Sequence, residues 1–199
     1  MGAFNVVTKA EIDAVQVNAG MLLKSFTPSA PAAPSAENII GATTGGITCN
    51  VNQTFEDFGA DIDNCPDDVL EMKRITKVEC TFSCTFVSLT EEVFKLSLGA
   101  ASKLNKEITP VKDLIPAHFT DIWFVSEKVN DQIIAINLKN ALSTGGFSYK
   151  TGKNAKGQLT VTFTVHASIS DPDKLPIQFY FADAPEDGGV SGMSLDEEG

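Results

Sequence analysis

Residues 144–169 read TGGFSYKTGKNAKGQLTVTFTVHASI, and the run G-K-N-A-K-G has the glycines and lysines of a phosphate-cradling loop. That chemistry needs Gly, four residues, then Gly-Lys-Ser/Thr, so that backbone N–H groups and the lysine converge on phosphates above a helix. Counting back from Gly152-Lys153 puts Phe147 at the first glycine position, and Asn154 stands where a hydroxyl would hold Mg²⁺. The spacing excludes the loop. Residues 153–157 read instead as a turn between two strands, with glycines expected to supply positive φ.

Metal and thiol chemistry find no better footing. Cys49, Cys65, Cys80 and Cys84 include no Cys-x₂-Cys pair, and neither His118 nor His166 stands at ligand spacing from them. On an alternating strand Cys80 and Cys84 share a face roughly 13 Å apart, beyond the ~7 Å that a disulfide spans. Buried free thiols are expected. Residues 56–71, EDFGADIDNCPDDVLE, hold seven acids and no base. They invite a calcium site, but the run from Asp61 to Pro66 lacks the oxygen donor at its fifth position and the glycine at its sixth. The acidic loop, with Asp61, Asp63, Asp67 and Asp68, is expected to be solvated or to meet another subunit. No Gly-x-Ser-x-Gly elbow is present. The residues call for no catalytic group, metal or cofactor.

Strands are what the chain does specify. At 199 residues and 43% hydrophobic it is long enough for one domain with a real core, and its thirteen Phe favour packing over surface recognition. Across residues 158–170, Leu159, Val161, Phe163, Val165, Ala167 and Ile169 fall on one face, and hydroxyl or amide residues with His166 fall on the other. Residues 46–55 alternate likewise, opened by Gly45-Gly46, with Thr48, Asn50 and Asn52 opposite Ile47, Cys49 and Val51. Residues 77–89 turn Cys80, Phe82, Cys84 and Phe86 inward. Ser88 and Glu91 have the spacing of a capping box, and Leu89, Val93, Leu96 and Ala100 recur at helical spacing up to Gly99. Residues 119–129 and 132–140 are strands about an Asn130-Asp131 turn, and residues 15–26 suggest two short strands about Asn-Ala-Gly. The fold class is therefore mainly β, a β-sandwich or barrel with one flanking α-helix, over residues 1–181. Within it, residues 27–41 are a Pro/Ala-rich connector. Six of the eleven surplus negative charges lie in residues 182–199, which are expected to be a disordered acidic extension.

Charge and hydropathy exclude some functions. No basic cluster exists to grip a nucleic-acid backbone, and no apolar run approaches a transmembrane length. The outer faces of the long strands are neutral and rich in hydroxyls, whereas a solvated sandwich normally carries Lys and Glu there to prevent edge pairing. Such sheets are suited to continue across subunits and close a ring around a polar interior. A monomeric, threonine-rich sandwich that binds a partner is the alternative. In the first case Thr48, Asn50, Asn52, Thr160, Thr162 and Thr164 are the candidate lumen-facing residues, and Asp61, Asp63, Asp67 and Asp68 the candidate inter-ring or inter-subunit loop.

Residues 41–75, GATTGGITCNVNQTFEDFGADIDNCPDDVLEMKRI, with DIWFV at 121–125 and the run from IIAINLKNALSTGG to TVTFTVHASI at 133–169, carry a resemblance. Together they resemble the major tail tube proteins of long-tailed, non-contractile (siphovirus-type) bacteriophages, over roughly residues 4–182. The resemblance implies a non-enzymatic virion protein, assembled in the host cytoplasm. It implies homo-hexameric rings with a continuous inner β-barrel, stacked into the tube through which the genome is ejected. A tape-measure protein, a tail terminator and tail-tip proteins are its implied partners, and DNA passes without specific binding. The inner tube of a contractile tail or of a tail-derived injection device fits the same residues.

Overall fold

The structure, a computed structural model, describes residues 7–171 and 174–183. The acidic extension read from the sequence lies outside the described residues from position 184 onward. In chain order the elements are helix α1 (Lys9–Asp13), strands β1 (Met21–Leu23), β2 (Ile39–Gly41), β3 (Thr43–Asp57) and β4 (Lys73–Phe86), and helix α2 (Glu91–Ser97). Then follow β5 (Ala101–Leu104), β6 (Glu107–Pro110), β7 (Thr120–Glu127), β8 (Ile133–Ser143), β9 (Ser148–Gly152), β10 (Ala155–Thr164) and β11 (Ile177–Ala182).

Nine strands form one antiparallel sheet, with β5 and β6 as a separate hairpin. The long strand β8 belongs to both halves of that sheet. Residues 133–138 lie between β7 and β11, whereas Leu142 and Ser143 pair with Thr164 and Phe163 of β10. One half therefore runs β2-β1-β7-β8-β11 and the other β3-β4-β10-β9. The halves face each other. Phe82 of β4 and Phe124 of β7 are not on neighbouring strands, yet their rings lie 5.8 Å apart. Between the halves Leu22, Ile122, Ile136 and Leu138 meet Phe82, Phe86, Leu159, Val161 and Phe163, all buried. Of these, Phe82, Phe86, Leu159, Val161 and Phe163 are inward residues that strand alternation predicts, whereas Ala167, expected on the same face, is exposed. The single chain closes no barrel, because its outer strands β2, β3 and β11 each pair on one side only among the described residues.

Helix α2 closes one end of the core with Val93 and Ser97, one turn apart. Its cap is Thr90, whose Oγ1 accepts from Val93 N at 3.3 Å, and not the predicted Ser88. Ser88 Oγ instead accepts from Ala42 N at 2.8 Å, tying the chain after β4 to the start of β3. Capping at Thr90 is what turns Val93 to the core. Gly99 ends this helical segment at φ +72, where a side chain would come within 2.7 Å of the Ser143 carbonyl oxygen.

The structure adds a helix that the sequence reading omitted. Thr8 and Glu11 form a complete capping box at α1, with Thr8 N donating to Glu11 Oε2 at 2.6 Å. Those bonds hold the Glu11 carboxyl below its ordinary pKa. Residues 15–26 are not a hairpin: Gln16 bridges Lys128 and Met21 pairs with Val125, so both run along the same strand, β7. Asn18 fills the break by accepting from Gly20 N and Glu127 N through Oδ1. The strand predicted over 158–170 ends at Thr164, and Ile169 is exposed. At the β9–β10 turn the positive φ belongs to Asn154 (+61) and not to a glycine.

The thiols are graded by environment. All four are free cysteines. Cys80 stands opposite Val51, and Cys49 opposite Phe82, so Cys49 and Cys80 are diagonal neighbours on the core face. The closeness of the two thiols lowers the Cys49 pKa to about 7 and raises that of Cys80. Burial pushes Cys84 up to about 12. A maleimide at neutral pH should therefore modify half-buried Cys49 well before Cys80 or Cys84; peptide mapping of the labelled protein checks the order. In the fold Cys84 remains a thiol where an unfolded cysteine, pKa about 8.5, has already ionised. The Cys84 contribution to stability should fall as pH rises from there through about 12, and Cys84→Ala should remove that slope.

Candidate functional site

The sequence proposes six uncharged residues on two separate stretches. The fold brings them to one surface. Successive residues of a strand alternate sides, so the partners of the buried Cys80, Phe82, Cys84, Leu159, Val161 and Phe163 all point away from the core. Ladder register then sets Thr48 opposite Ser83, Asn50 opposite Thr81 and Asn52 opposite Glu79. On the other side of β4, Thr160 is opposite Thr85, Thr162 opposite Ser83 and Thr164 opposite Thr81.

These pairs are knit by hydroxyls. Ser83 Oγ and Thr162 Oγ1 lie 3.0 Å apart, Thr85 Oγ1 and Thr160 Oγ1 3.3 Å, and Thr144 Oγ1 and Thr164 Oγ1 2.5 Å. Cross-strand hydroxyl pairs of this kind hold register on a face with no apolar cover. Thr81, Ser83, Thr85 and Thr144 thus belong to the surface beside the six predicted positions. The outward alternation of residues 77–89 is the signal for Thr81, Ser83 and Thr85, and Thr144 has none of this kind. Charge enters only at the margins, as the Lys77–Glu79 ion pair at 2.5 Å and as Lys150 opposite Gln158.

Both Thr-Gly-Gly segments border this half of the sheet. Gly45 and Gly46, at φ +77 and +80, are extra residues between the Thr44–Thr85 and Ile47–Cys84 pairs, a bulge inside β3 and not its start. The second segment, Thr144-Gly145, donates both backbone N–H groups to Thr162 O, at 2.9 and 3.3 Å.

Beyond Val51 and Cys80 the β3–β4 hairpin runs on as a two-stranded arm. Six more residues of β3, at about 3.4 Å each, carry it roughly 20 Å past the core. The acidic residues lie at its far end. Asp57 shapes the tip, accepting from Gly59 N at 2.8 Å and Asp68 N at 2.9 Å. Lys73 pairs with Asp68, and this keeps the Lys73 amine charged to higher pH. Asp61, Asp63 and Asp67 form no ion pair among the described residues. Glu56 and Asp57 belong to β3 and Glu71 to a short 3₁₀ turn, so the predicted loop is narrower than its sequence run.

The two histidines serve local structure. His118 Nδ1 accepts from Ile115 N at 3.2 Å, and His166 packs edge-on against Phe119. Among the described residues no three His, Cys, Asp or Glu side chains gather as a metal site. No helix there is long and apolar enough to cross a membrane.

The chain is similar to part of a virion. A chain from the virion of a native gene transfer agent (GTA) particle matches at a TM-score of 0.37 and 8% identity, over 81% of this chain and 95% of that one. No family model and no curated protein matches the sequence.

Proposed function

We propose that this chain is a non-enzymatic structural subunit that polymerises as stacked hexameric rings into a phage tail tube of the non-contractile type. In this reading the tube is the conduit for genome ejection and a component of the virion. The observation that carries the reading is the hydroxyl face itself. It is large, uncharged except at its margins, and built on a sheet whose outer strand β3 is unpaired over fifteen residues on its far side, among the described residues. Six such half-sheets joined edge to edge close a wide barrel with that face inward.

An uncharged wall suits the cargo. Duplex DNA carries about one negative charge per 1.7 Å of axis, and a lining of lysines would hold it by many phosphate contacts. Threonine and asparagine hydroxyls and amides present water to the duplex and let it slide. The subunit works by not binding what passes through it. A tape-measure protein would occupy the lumen beforehand, and terminator and tip proteins would cap the two ends.

Cysteine scanning tests the assignment. In a chain with Cys49 and Cys65 replaced by serine, Thr160→Cys, Thr162→Cys and Thr48→Cys should react freely in the unassembled subunit. After assembly they should be shielded from a maleimide coupled to a polymer too large for the lumen. Equal labelling before and after assembly would reject the inward orientation.

In this reading Asp61, Asp63, Asp67 and Asp68, at the tip of the arm, meet a neighbouring ring or subunit. Replacing the four by asparagine should flatten the salt dependence of assembly, measured by light scattering, because screening then has less charge to act on. Assembly with an unchanged salt profile would leave the loop as bare surface.

A further inference from the structure

The sandwich has two open margins, and they match. On sheet half β3-β4-β10-β9 the core-facing side continues past Cys80 along the arm, where Val51, Phe55 and Ile75 share it. Phe55 is 52% exposed and Ile75 51%. On the other half, the core-facing side continues onto β11. Ile177 stands beside Leu138 and is buried, but Phe179 beside Ile136 is 53% exposed and Phe181 beside Ile134 is 72% exposed. Each margin is a piece of core-facing sheet with no opposite layer among the described residues.

One cation at the β11 margin, Lys128, can answer the carboxylates of the arm; it lies beside Asp183, with which it shares Gln132. The arm ends in the unpaired carboxylates described above. Lys128 lies with its Nζ 5.0 Å from the Phe181 ring centroid and forms no ion pair among the described residues. The strand itself, IQFYFA, has no charge, and among the described residues its outer edge has no partner.

We infer that the core-facing side of β11 is the receptor for the arm of a second copy of this chain. Phe55 and Ile75 of the arm lie over Phe179 and Phe181, completing in trans the two-layer core that each chain leaves open. The arm acids then stand near Lys128. The two surfaces are different patches of the same chain, so the contact is heterologous and propagates into rings or filaments instead of stopping at a dimer. This inference rests on the assembly reading above and names the surface that receives the arm.

Cross-linking between two tagged chains tests it. Both chains carry serine at Cys49 and Cys65; one has Phe55→Cys and the other Phe181→Cys. All of the altered aromatic positions are exposed, and near-UV circular dichroism verifies the fold. A short bismaleimide should give a covalent dimer joining residue 55 to residue 181 in the assembled mixture, and that product should be lost in either chain alone. Hydrogen exchange of the unaltered chain gives a second readout: amides of both 52–57 and 177–182 should slow on assembly. Assembled material without the cross-link, or with either segment exchanging as before, overturns the arm–β11 contact while leaving the tube reading intact. A chain that never assembles overturns the tube reading itself, and this contact with it.

Discussion

Replacing residues 54–77 by Asn-Gly should give a subunit that folds normally and no longer assembles. Gln53 and Val78 face each other in the ladder, so a two-residue turn joins them in register. The excised segment contributes nothing to the central core, whose nearest members are Cys49 and Cys80. Its single buried residue, Gly59, packs only against the tip, beside Cys65 and Met72. A shorter connection also lowers the entropy cost of closing the hairpin. The melting temperature of the unassembled subunit should therefore stay close to that of the full chain. Assembly should be abolished, because both the acidic tip and the apolar strip are gone. Thermal denaturation followed by circular dichroism measures the first property and sedimentation velocity the second, each against the parent. A shortened chain that still forms large particles would assign assembly to the remaining surfaces alone.

The second large effect is in the core. Phe82 is fully enclosed, stands between the two sheet halves and meets the Phe124 ring at 5.8 Å. Phe82→Ala should cost about 3–5 kcal/mol, the sum of lost transfer energy and the cavity left behind. Against a total stability of roughly 5–15 kcal/mol that is a large share. At about 2–4 °C per kcal/mol for a domain of this size, the melting temperature should drop by roughly 10 °C. Urea denaturation of the unassembled subunit measures it. A loss below about 1 kcal/mol would mean that the halves do not clamp this ring.

These two effects separate what the sequence makes legible from what it hides. Period-two alternation placed Phe82, Phe163 and Thr162 on their correct faces, because burial of one face fixes the register of a strand. The same alternation continues through Val165 to Ile169, yet pairing stops at Thr164. Alternation records which side a residue would take, but not whether a partner strand extends that far. Strand β11 escaped notice although IQFYFA is aromatic-rich, because six residues after a proline resemble a tail when read beside an acidic terminus. The α1 capping box is readable in Thr8–Glu11, but a helix of five residues is too short to show a periodic apolar face. For the surface, individual residue types sufficed for the hydroxyl face. The arm did not show itself, since a hairpin that leaves the body has the same alternation as one that stays in it. Only burial distinguishes Phe82 from Phe55.

Electron microscopy of the purified full chain, from dilute to concentrated solution and across a range of salt, tests the central claim most directly. The account predicts rings with sixfold symmetry that stack into hollow tubes, with β10 turned so that Thr160, Thr162 and Thr164 line the channel. Single subunits under every condition would contradict it, as would tubes whose channel is lined by another face of the sheet.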